Sequence, residues 1–194
     1  MKQSDALSVC FWFKLDPESS SRWMSAFMFT SVEISGDNDL MVWLTKDQVH
    51  VYLRSGGRRV ANTHFADKKW NHLCWMWKKT GQWWTYINGE MKKTGVESDK
   101  KFREPFPDSL GNLLLGQDKD EDTINQETQM LHGSLTQLYI YGKELTKDDI
   151  IALYNNKPPA SGVAIGWWQF KNTTQGVDIV ESALPKEIMD RDSL

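Results

Sequence analysis

The sequence lacks a long hydrophobic run and a strong excess of either charge. No stretch of about 18 consecutive apolar residues occurs in its 194 residues, so the pattern predicts no transmembrane helix. The 23 basic and 26 acidic residues leave a net charge of -3, which is too small to favour nucleic acid or a membrane surface as a partner through the overall field. Residues 1–5 are not followed by the apolar segment of a signal peptide.

Cysteines and catalytic motifs are also scarce. The two cysteines are Cys10 and Cys74, and their number alone leaves a disulfide and two buried free thiols equally open. No Gly-x-Ser-x-Gly, P-loop or Cys-x-x-Cys sequence is present, and the four histidines do not have the spacing of metal ligands. These absences argue against the common hydrolases, nucleotide-binding enzymes and zinc proteins.

Aromatic residues, in contrast, are plentiful. They make up 12% of the chain and include ten tryptophans. A chain of this length can bury a substantial core without several disulfides, and no linker or internal repeat divides it. The expectation is therefore a single domain over residues 1–194.

Short apolar segments separated by turns dominate the pattern. Strands are predicted at residues 9–14, 39–45, 49–54, 72–77, 83–87, 113–115, 135–141 and 164–170. One helix is predicted to begin after Thr146, which has Asp149 three residues later as in a capping box. The pattern predicts an all-β protein: a sandwich of two antiparallel sheets with jelly-roll connections and one short α-helix.

A polar segment after the apolar residues 113–115 concentrates acidic and amide side chains. Asp118, Asp120 and Asp122 alternate along it, and Gln126, Glu127 and Gln129 follow. Hard oxygen ligands of this kind suit calcium, which accepts roughly six to eight of them. The segment is not an EF-hand, because Thr123 stands at the position of the required glycine. A solvated loop without metal is the simpler alternative.

Seven segments in order resemble the pentraxin family. Four of them have recognisable features: the first cysteine strand (residues 7–10), an Asp-Asn turn (37–40), the His-x-Cys-x-x-Trp part of the family signature (72–77) and the acidic segment (115–120). The other three are residues 84–89, 133–140 and 146–154. The signature's two Ser/Thr positions are Met76 and Lys79 here, so the chain is identified as a divergent member. Together the segments extend over most of the chain.

The resemblance implies a legume-lectin-like sandwich with a disulfide between Cys10 and Cys74, and hence an oxidising compartment. It also implies calcium, with side-chain oxygens from Asp37, Asn38, Asp118, Asp120 and Gln129 and the backbone carbonyl of Lys119. Either Gln126 or Glu127 stands where the family has a glutamate ligand. Because calcium affinity falls with ligand charge, we expect one good site and a second, weaker one.

The same comparison gives expectations about the ligand. Trp43 corresponds to an aromatic wall of the family's ligand pocket, whereas Arg58 and Arg59 replace an acidic residue that receives choline. A basic pair repels a quaternary ammonium. We therefore expect a calcium-bridged anionic ligand: a phosphate, sulfate or carboxylate on a glycan or a lipid head group.

Further expectations concern the location, assembly and glycosylation of the protein and two alternative functions. The family implies a secreted or cell-surface protein and a homo-pentamer. The sequence starts only nine residues before Cys10, so we expect a missing first β-strand or a larger extracellular protein such as a receptor. Asn172 begins an Asn-Thr-Thr glycosylation sequon. Two other functions stay open: a protein-interaction module whose calcium only stiffens loops, and a β-sandwich glycosidase that uses Asp118, Asp120 and Glu121.

Overall fold

The computed structural model describes residues 4–16, 23–31, 39–54, 56–62, 65, 68–104, 111–120, 123–125, 129–157 and 161–170. For residues 56–61, 118–120 and 123–125 it describes the backbone. Within these ranges no helix is long and apolar enough to cross a bilayer.

Antiparallel strands make up most of this structure. They are β1 (Ala6–Leu15), β2 (Met24–Ser31), β3 (Leu40–Leu44), β4 (Gln48–Leu53), β5 (Gly56–Asn62), β6 (Asn71–Lys78), β7 (Gln82–Ile87), β8 (Glu90–Val96), β9 (Gly111–Leu115), β10 (Asp118–Asp120), β11 (Thr123–Asn125), β12 (Gly133–Tyr141) and β13 (Val163–Ile165). In the described part of the chain they form a six-stranded sheet in the order β13-β12-β1-β6-β7-β8 and a five-stranded sheet in the order β5-β4-β3-β2-β9. β10 and β11 form a separate hairpin.

The hydrophobic core lies between the two large sheets, because alternate residues of each strand point inward. Phe11 and Phe13 of β1 pack with Phe27 of β2, with Phe11 and Phe27 in an edge-to-face contact at 5.8 Å. Residues of β1 on its other face are buried as well: Cys10 and Trp12 are fully inaccessible although they face away from that core. This explains why the sequence of β1 is apolar at both parities.

The helix α1 (Lys147–Tyr154) covers part of the outer face of the six-stranded sheet. Its Thr146 cap accepts a hydrogen bond from the Asp149 amide at 3.1 Å, and the Asp149 carboxylate accepts one from the Thr146 amide at 3.0 Å. The predicted capping box is confirmed. Ile150 and Leu153 pack from the helix against the sheet beside the cysteines.

Cys10 and Cys74 lie opposite each other on β1 and β6 and form a disulfide. Both are buried under α1. The disulfide that the family resemblance implied is therefore confirmed.

The predicted two-sheet antiparallel sandwich with one α-helix is confirmed, but the strands β2, β5 and β8 were not predicted, and two further segments differ from expectation. The strand predicted at 164–170 ends at Ile165 and is followed by a 3-10 helix (Trp167–Phe170), because Gly166 donates its amide to the Gln169 side chain at 2.8 Å and accepts the Gln169 amide at 3.0 Å. The acidic segment, expected as a loop, forms the hairpin β10–β11. The assignment of residues 1–194 to one domain stays a prediction.

Candidate functional site

Strand β2 anchors the segments for which calcium binding is predicted. The Gly116 amide donates to the Ala26 carbonyl at 2.9 Å, and the Ser25 amide donates to the Gln129 carbonyl at 2.8 Å. The Leu131 amide closes the arrangement by donating to the Gly116 carbonyl at 2.8 Å. The turn that leads into β10 and the segment that begins at Gln129 are thus fixed side by side at the start of β2.

Gly116 makes the turn between β9 and β10 possible. Its φ is +69°, a conformation that glycine adopts without the steric cost of a side chain. The chain then enters the β10–β11 hairpin, in which Asp118 is opposite Asn125 and Asp120 is opposite Thr123. The backbone of β10 contacts β2. The hairpin therefore returns the acidic positions to the five-stranded sheet.

Gln129 carries a polar atom with an unusual environment. Its side-chain oxygen Oε1 is buried and has no hydrogen-bond partner among the described residues. A buried carbonyl that has lost its hydrogen bond to water costs about 1–3 kcal/mol. Amide oxygens are suitable calcium ligands, so this atom fits the predicted role.

The remaining predicted ligands are outside the described structure in whole or in part. Asp37, Asn38, Gln126 and Glu127 lie outside the described residues, as does the sequon asparagine Asn172. The backbone of Asp118, Lys119 and Asp120 is described but their side chains are not. The described side chains contain no cluster of three His, Cys, Asp or Glu residues arranged to hold a metal.

Asp39 directly follows the predicted Asp37-Asn38 ligand pair and is firmly held. Its carboxylate accepts a hydrogen bond from the Ser31 amide at 2.5 Å, and its carbonyl accepts one from the Arg54 amide at 3.0 Å. Asp39 is only 1% exposed. The chain that leaves the predicted ligand pair is therefore attached to the end of β2, the strand whose beginning holds Gln129.

Arg54 supports this corner of the sheet. Its Nη1 donates to the carbonyls of Lys101 at 2.9 Å and Glu104 at 2.5 Å. Burial lowers the pKa of the guanidinium, and the negative charges of Glu104 and Asp39 oppose that shift. A buried positive charge thus lies near the buried Asp39 carboxylate.

The strand register places predicted ligand-binding positions in one row across the five-stranded sheet. Ser25 of β2 is opposite Trp43 of β3, Trp43 is opposite His50 of β4, and His50 is opposite Arg59 of β5. Arg58 is opposite Val51. Neighbouring strands are about 4.8 Å apart, so the row from Ser25 to Arg59 is about 14 Å long. Its first member is the residue that binds the Gln129 backbone.

An aromatic cluster surrounds Trp43 in this row. The Trp43 ring lies 5.1 Å from Tyr52 and 5.9 Å from Trp23, and the Trp23 ring lies 4.2 Å from His50. All four rings are half-buried. Sequence reasoning predicted a ligand-binding role for Trp43 alone and did not indicate that Trp23, His50 and Tyr52 lie around it. Apolar and polar or aromatic residues alternate along β4, and Val49, Val51 and Leu53 are buried. This alternation was the available signal that His50 and Tyr52 lie on the outer face of the sheet.

A comparison with protein-family models now identifies the fold family. Residues 1–151 match the model described as the concanavalin A-like lectin/glucanases superfamily. The chain belongs to this superfamily. A lectin/glucanase-type sandwich accounts for the two large sheets.

Curated proteins give two informative relatives of this concanavalin A-like chain. Mouse neuronal pentraxin-2 is 32% identical over 106 residues, which are 53% of this chain and 24% of that protein. The human adhesion G protein-coupled receptor D2 is 26% identical over 123 residues, which are 62% of this chain and 12% of the receptor. The chain therefore spans a quarter or less of the length of these relatives.

The fold is also that of a solved pentraxin. The native heptameric SAP-like pentraxin of Limulus polyphemus superimposes with a TM-score of 0.67 and 20% identity, over 86% of this chain and 79% of the other. With the neuronal pentraxin match, this likeness shows that the concanavalin A-like chain contains a pentraxin-like domain. The family resemblance found in the motifs is confirmed.

Proposed function

We propose that this pentraxin-like domain is an extracellular, non-catalytic module that binds an anionic ligand through calcium. The proposal rests on the row that joins the Gln129 segment, through Ser25, to Trp43, His50 and Arg59. A metal held near one end of the row and basic residues at the other would both attract negative charge. The aromatic cluster between them offers apolar ring faces to the body of the ligand.

Calcium would be held by the residues that the motifs indicate. Asp37, Asn38, Asp118, Asp120 and Gln129 would donate side-chain oxygens, Lys119 its carbonyl, and Gln126 or Glu127 one further oxygen. The support for this set is the buried, unpartnered Oε1 of Gln129 and the attachment of its neighbours to β2. Bound calcium would supply a positive charge that the anionic oxygens of a ligand can share.

An anionic glycan, phosphate or lipid head group suits the far end of the row. Arg58 and Arg59 lie on β5, the edge strand next to β4. The positive charge of Arg59 at the end of the row favours sulfate, phosphate or carboxylate and disfavours choline, and Arg58 adds positive charge from the neighbouring position on β5, opposite the core residue Val51. The row length of about 14 Å is enough for a ligand larger than one sugar ring.

The extracellular location has two supports. A disulfide joins Cys10 and Cys74, and structural disulfides persist in oxidising compartments. One relative is an adhesion receptor by name. This relative also favours a second function, an interaction module of a receptor ectodomain in which calcium stiffens loops without touching the partner.

The test is a binding array of sulfated, sialylated and phosphorylated glycans and anionic lipid head groups, with neutral counterparts, in millimolar calcium and in chelator. We expect anionic ligands to bind in calcium alone, and Arg59→Glu to weaken binding while the control Lys100→Glu does not. Binding that persists in chelator while thermal stability falls would support the stiffening role. Tight phosphocholine binding that Arg58→Glu weakens would contradict the anionic preference.

Catalysis is tested separately. A glycosidase needs two carboxyl groups held about 5–10 Å apart around the scissile bond, and Asp118, Asp120 and Glu121 are the candidates. We expect no hydrolysis of a glycan panel. Hydrolysis that Asp120→Asn abolishes would overturn the non-catalytic assignment.

A further inference from the structure

A pocket lies on the outer face of the six-stranded sheet, on the side of the sandwich away from the aromatic cluster around Trp43. It has a volume of about 360 Å³ and is bounded by β6, β7 and the start of α1; its lining residues are Met76, Trp84, Tyr86, Glu144, Leu145, Thr146 and Lys147. This volume is at the lower end of the range for small-ligand sites. The pocket is far from the aromatic cluster in the fold, because the two large sheets separate them.

The pocket combines an apolar floor with one carboxylate. Met76, Tyr86 and Leu145 are at most 8% exposed and form its floor, and Trp84 is half-buried beside them. Trp84 and Met76 are cross-strand partners on β7 and β6. Glu144 stands at the rim with its side chain 38% exposed. Aromatic rings, a thioether and a carboxylate are the surroundings that an alkylammonium group prefers.

The protein's own Lys78 already uses this environment. Its Nζ lies 5.3 Å from the centre of the Trp84 ring and 2.5 Å from the Glu144 carboxylate. The Lys78 side chain is 33% exposed, so its flexible stem can leave without opening the core. Lysine therefore shows which chemical group the Trp84 and Glu144 pair accepts.

We propose that this pocket binds an alkylammonium group, which takes the place of the Lys78 ammonium between Trp84 and Glu144. The alkyl part lies on Met76 and Leu145, and the positive charge lies over the Trp84 ring and beside the Glu144 carboxylate. Binding is independent of calcium, since every contributing residue is on the six-stranded sheet or at α1.

Two sources can supply this group: a free alkylamine and a lysine side chain of a partner protein. The probes are n-butylammonium and a lysine tripeptide with blocked ends, with neutral N-butylacetamide as the control ligand. Binding is followed by NMR on the Trp84 indole N–H, assigned by its loss in Trp84→Phe, in chelator. A small ligand of this kind is expected to bind wild-type protein with a dissociation constant of about 1 mM.

The variants separate the pocket from general charge effects. Lys78→Met removes the internal competitor and is expected to tighten butylammonium binding at least about threefold, whereas Glu144→Gln weakens it by a similar factor. The Lys92–Glu90 ion pair has the same 2.5 Å separation on β8 and does not line the pocket. Lys92→Met and Glu90→Gln are therefore the matched controls and should leave binding unchanged.

The outcomes are distinct. Tighter binding of the tripeptide than of butylammonium assigns the site to a lysine of a protein partner, and equal binding assigns it to a free alkylamine. Equal shifts with N-butylacetamide, or no saturable shift in Lys78→Met at about tenfold higher concentration, would overturn the proposal. Because chelator is present throughout, failure here does not bear on the calcium site.

Discussion

At the scale of single residues, Gln129 is the most informative position in the structure. Its Oε1 is buried and has no described hydrogen-bond partner, although its own backbone is well held by Ser25. The backbone hydrogen bond from Ser25 fixes the position of the Gln129 main chain, while the side-chain Oε1 stays available for a ligand. Such an arrangement is unfavourable without a ligand and favourable with a cation.

Replacing Gln129 should therefore separate metal affinity from folding. Gln129→Leu is expected to weaken calcium binding by at least about tenfold and to leave thermal stability in chelator unchanged or higher, because an unpartnered buried carbonyl disappears. Gln129→Glu should tighten binding through the added charge. Calorimetry and thermal melts measure both effects, with exposed Gln82→Leu as the control. Equal calcium affinity in wild type, Gln129→Leu and Gln129→Glu would show that Gln129 is not a calcium ligand.

Other residues show where sequence reasoning reaches its limit. The family motifs propose Trp43 as a ligand residue, which stays a prediction, and they do not indicate its placement opposite His50. Contacts between Trp23, His50 and Tyr52 depend on which strands pair and in which register, and such long-range pairing leaves only weak local signals. The pocket at Trp84 and Glu144 was missed for the same reason, since these residues are 60 positions apart in the sequence.

At the scale of elements, α1 was predictable because its signals are local. Thr146 and Asp149 form a capping box within four residues, and Pro158 follows the helix. The 3-10 helix Trp167–Phe170 was not, because the apolar residues 164–168 are equally typical of a strand. β10 was not predicted because its Asp-Lys-Asp sequence is unusual for a strand.

The capping box of α1 makes the stability of the folded state depend on pH. The hydrogen bond from the Thr146 backbone lowers the pKa of Asp149 below its usual 3.8, with burial opposing the shift. The ionised carboxylate therefore stabilises the folded state above about pH 4, and this contribution is lost as pH falls through the lowered folded pKa. Urea unfolding from pH 6 to about pH 2 should show the stability gap between wild type and Asp149→Asn closing at the acidic end. A gap that stays constant would contradict the role, and exposed Asp148→Asn is the control.

The disulfide ties β1 to β6 across 64 positions of sequence. A loop of that length corresponds to about 4 kcal/mol of stabilisation in the chain-entropy model. The double variant Cys10→Ala/Cys74→Ala should lose about that much unfolding free energy in guanidinium titrations, because its unfolded chain is less restricted. A loss below about 1 kcal/mol would show that the sandwich does not depend on this link.

At the scale of the whole molecule, assembly is the open prediction. β8 is an edge strand of the six-stranded sheet, and its Met91 and Val96 are 55% and 67% exposed. Exposed edge strands with apolar side chains are natural contact surfaces. The Limulus pentraxin is heptameric by its own description, and the family resemblance predicts a cyclic pentamer for this chain.

Light scattering of the purified chain tests that expectation. We expect a mass five times that of the chain, and reduction to smaller species in Met91→Lys, which places a charge on the exposed edge. Lys93→Glu on the same strand is the control for a change of charge alone. A monomeric mass at all concentrations would contradict ring formation by this chain.

Calcium binding is central to the proposed function, and calorimetric titration of calcium into metal-stripped protein tests it most directly. We expect a saturable heat with a dissociation constant of about 10⁻⁴–10⁻³ M, as for extracellular modules, and a clear loss of that heat in Asp120→Asn. An absence of heat up to about 10 mM calcium would contradict the calcium-dependent function.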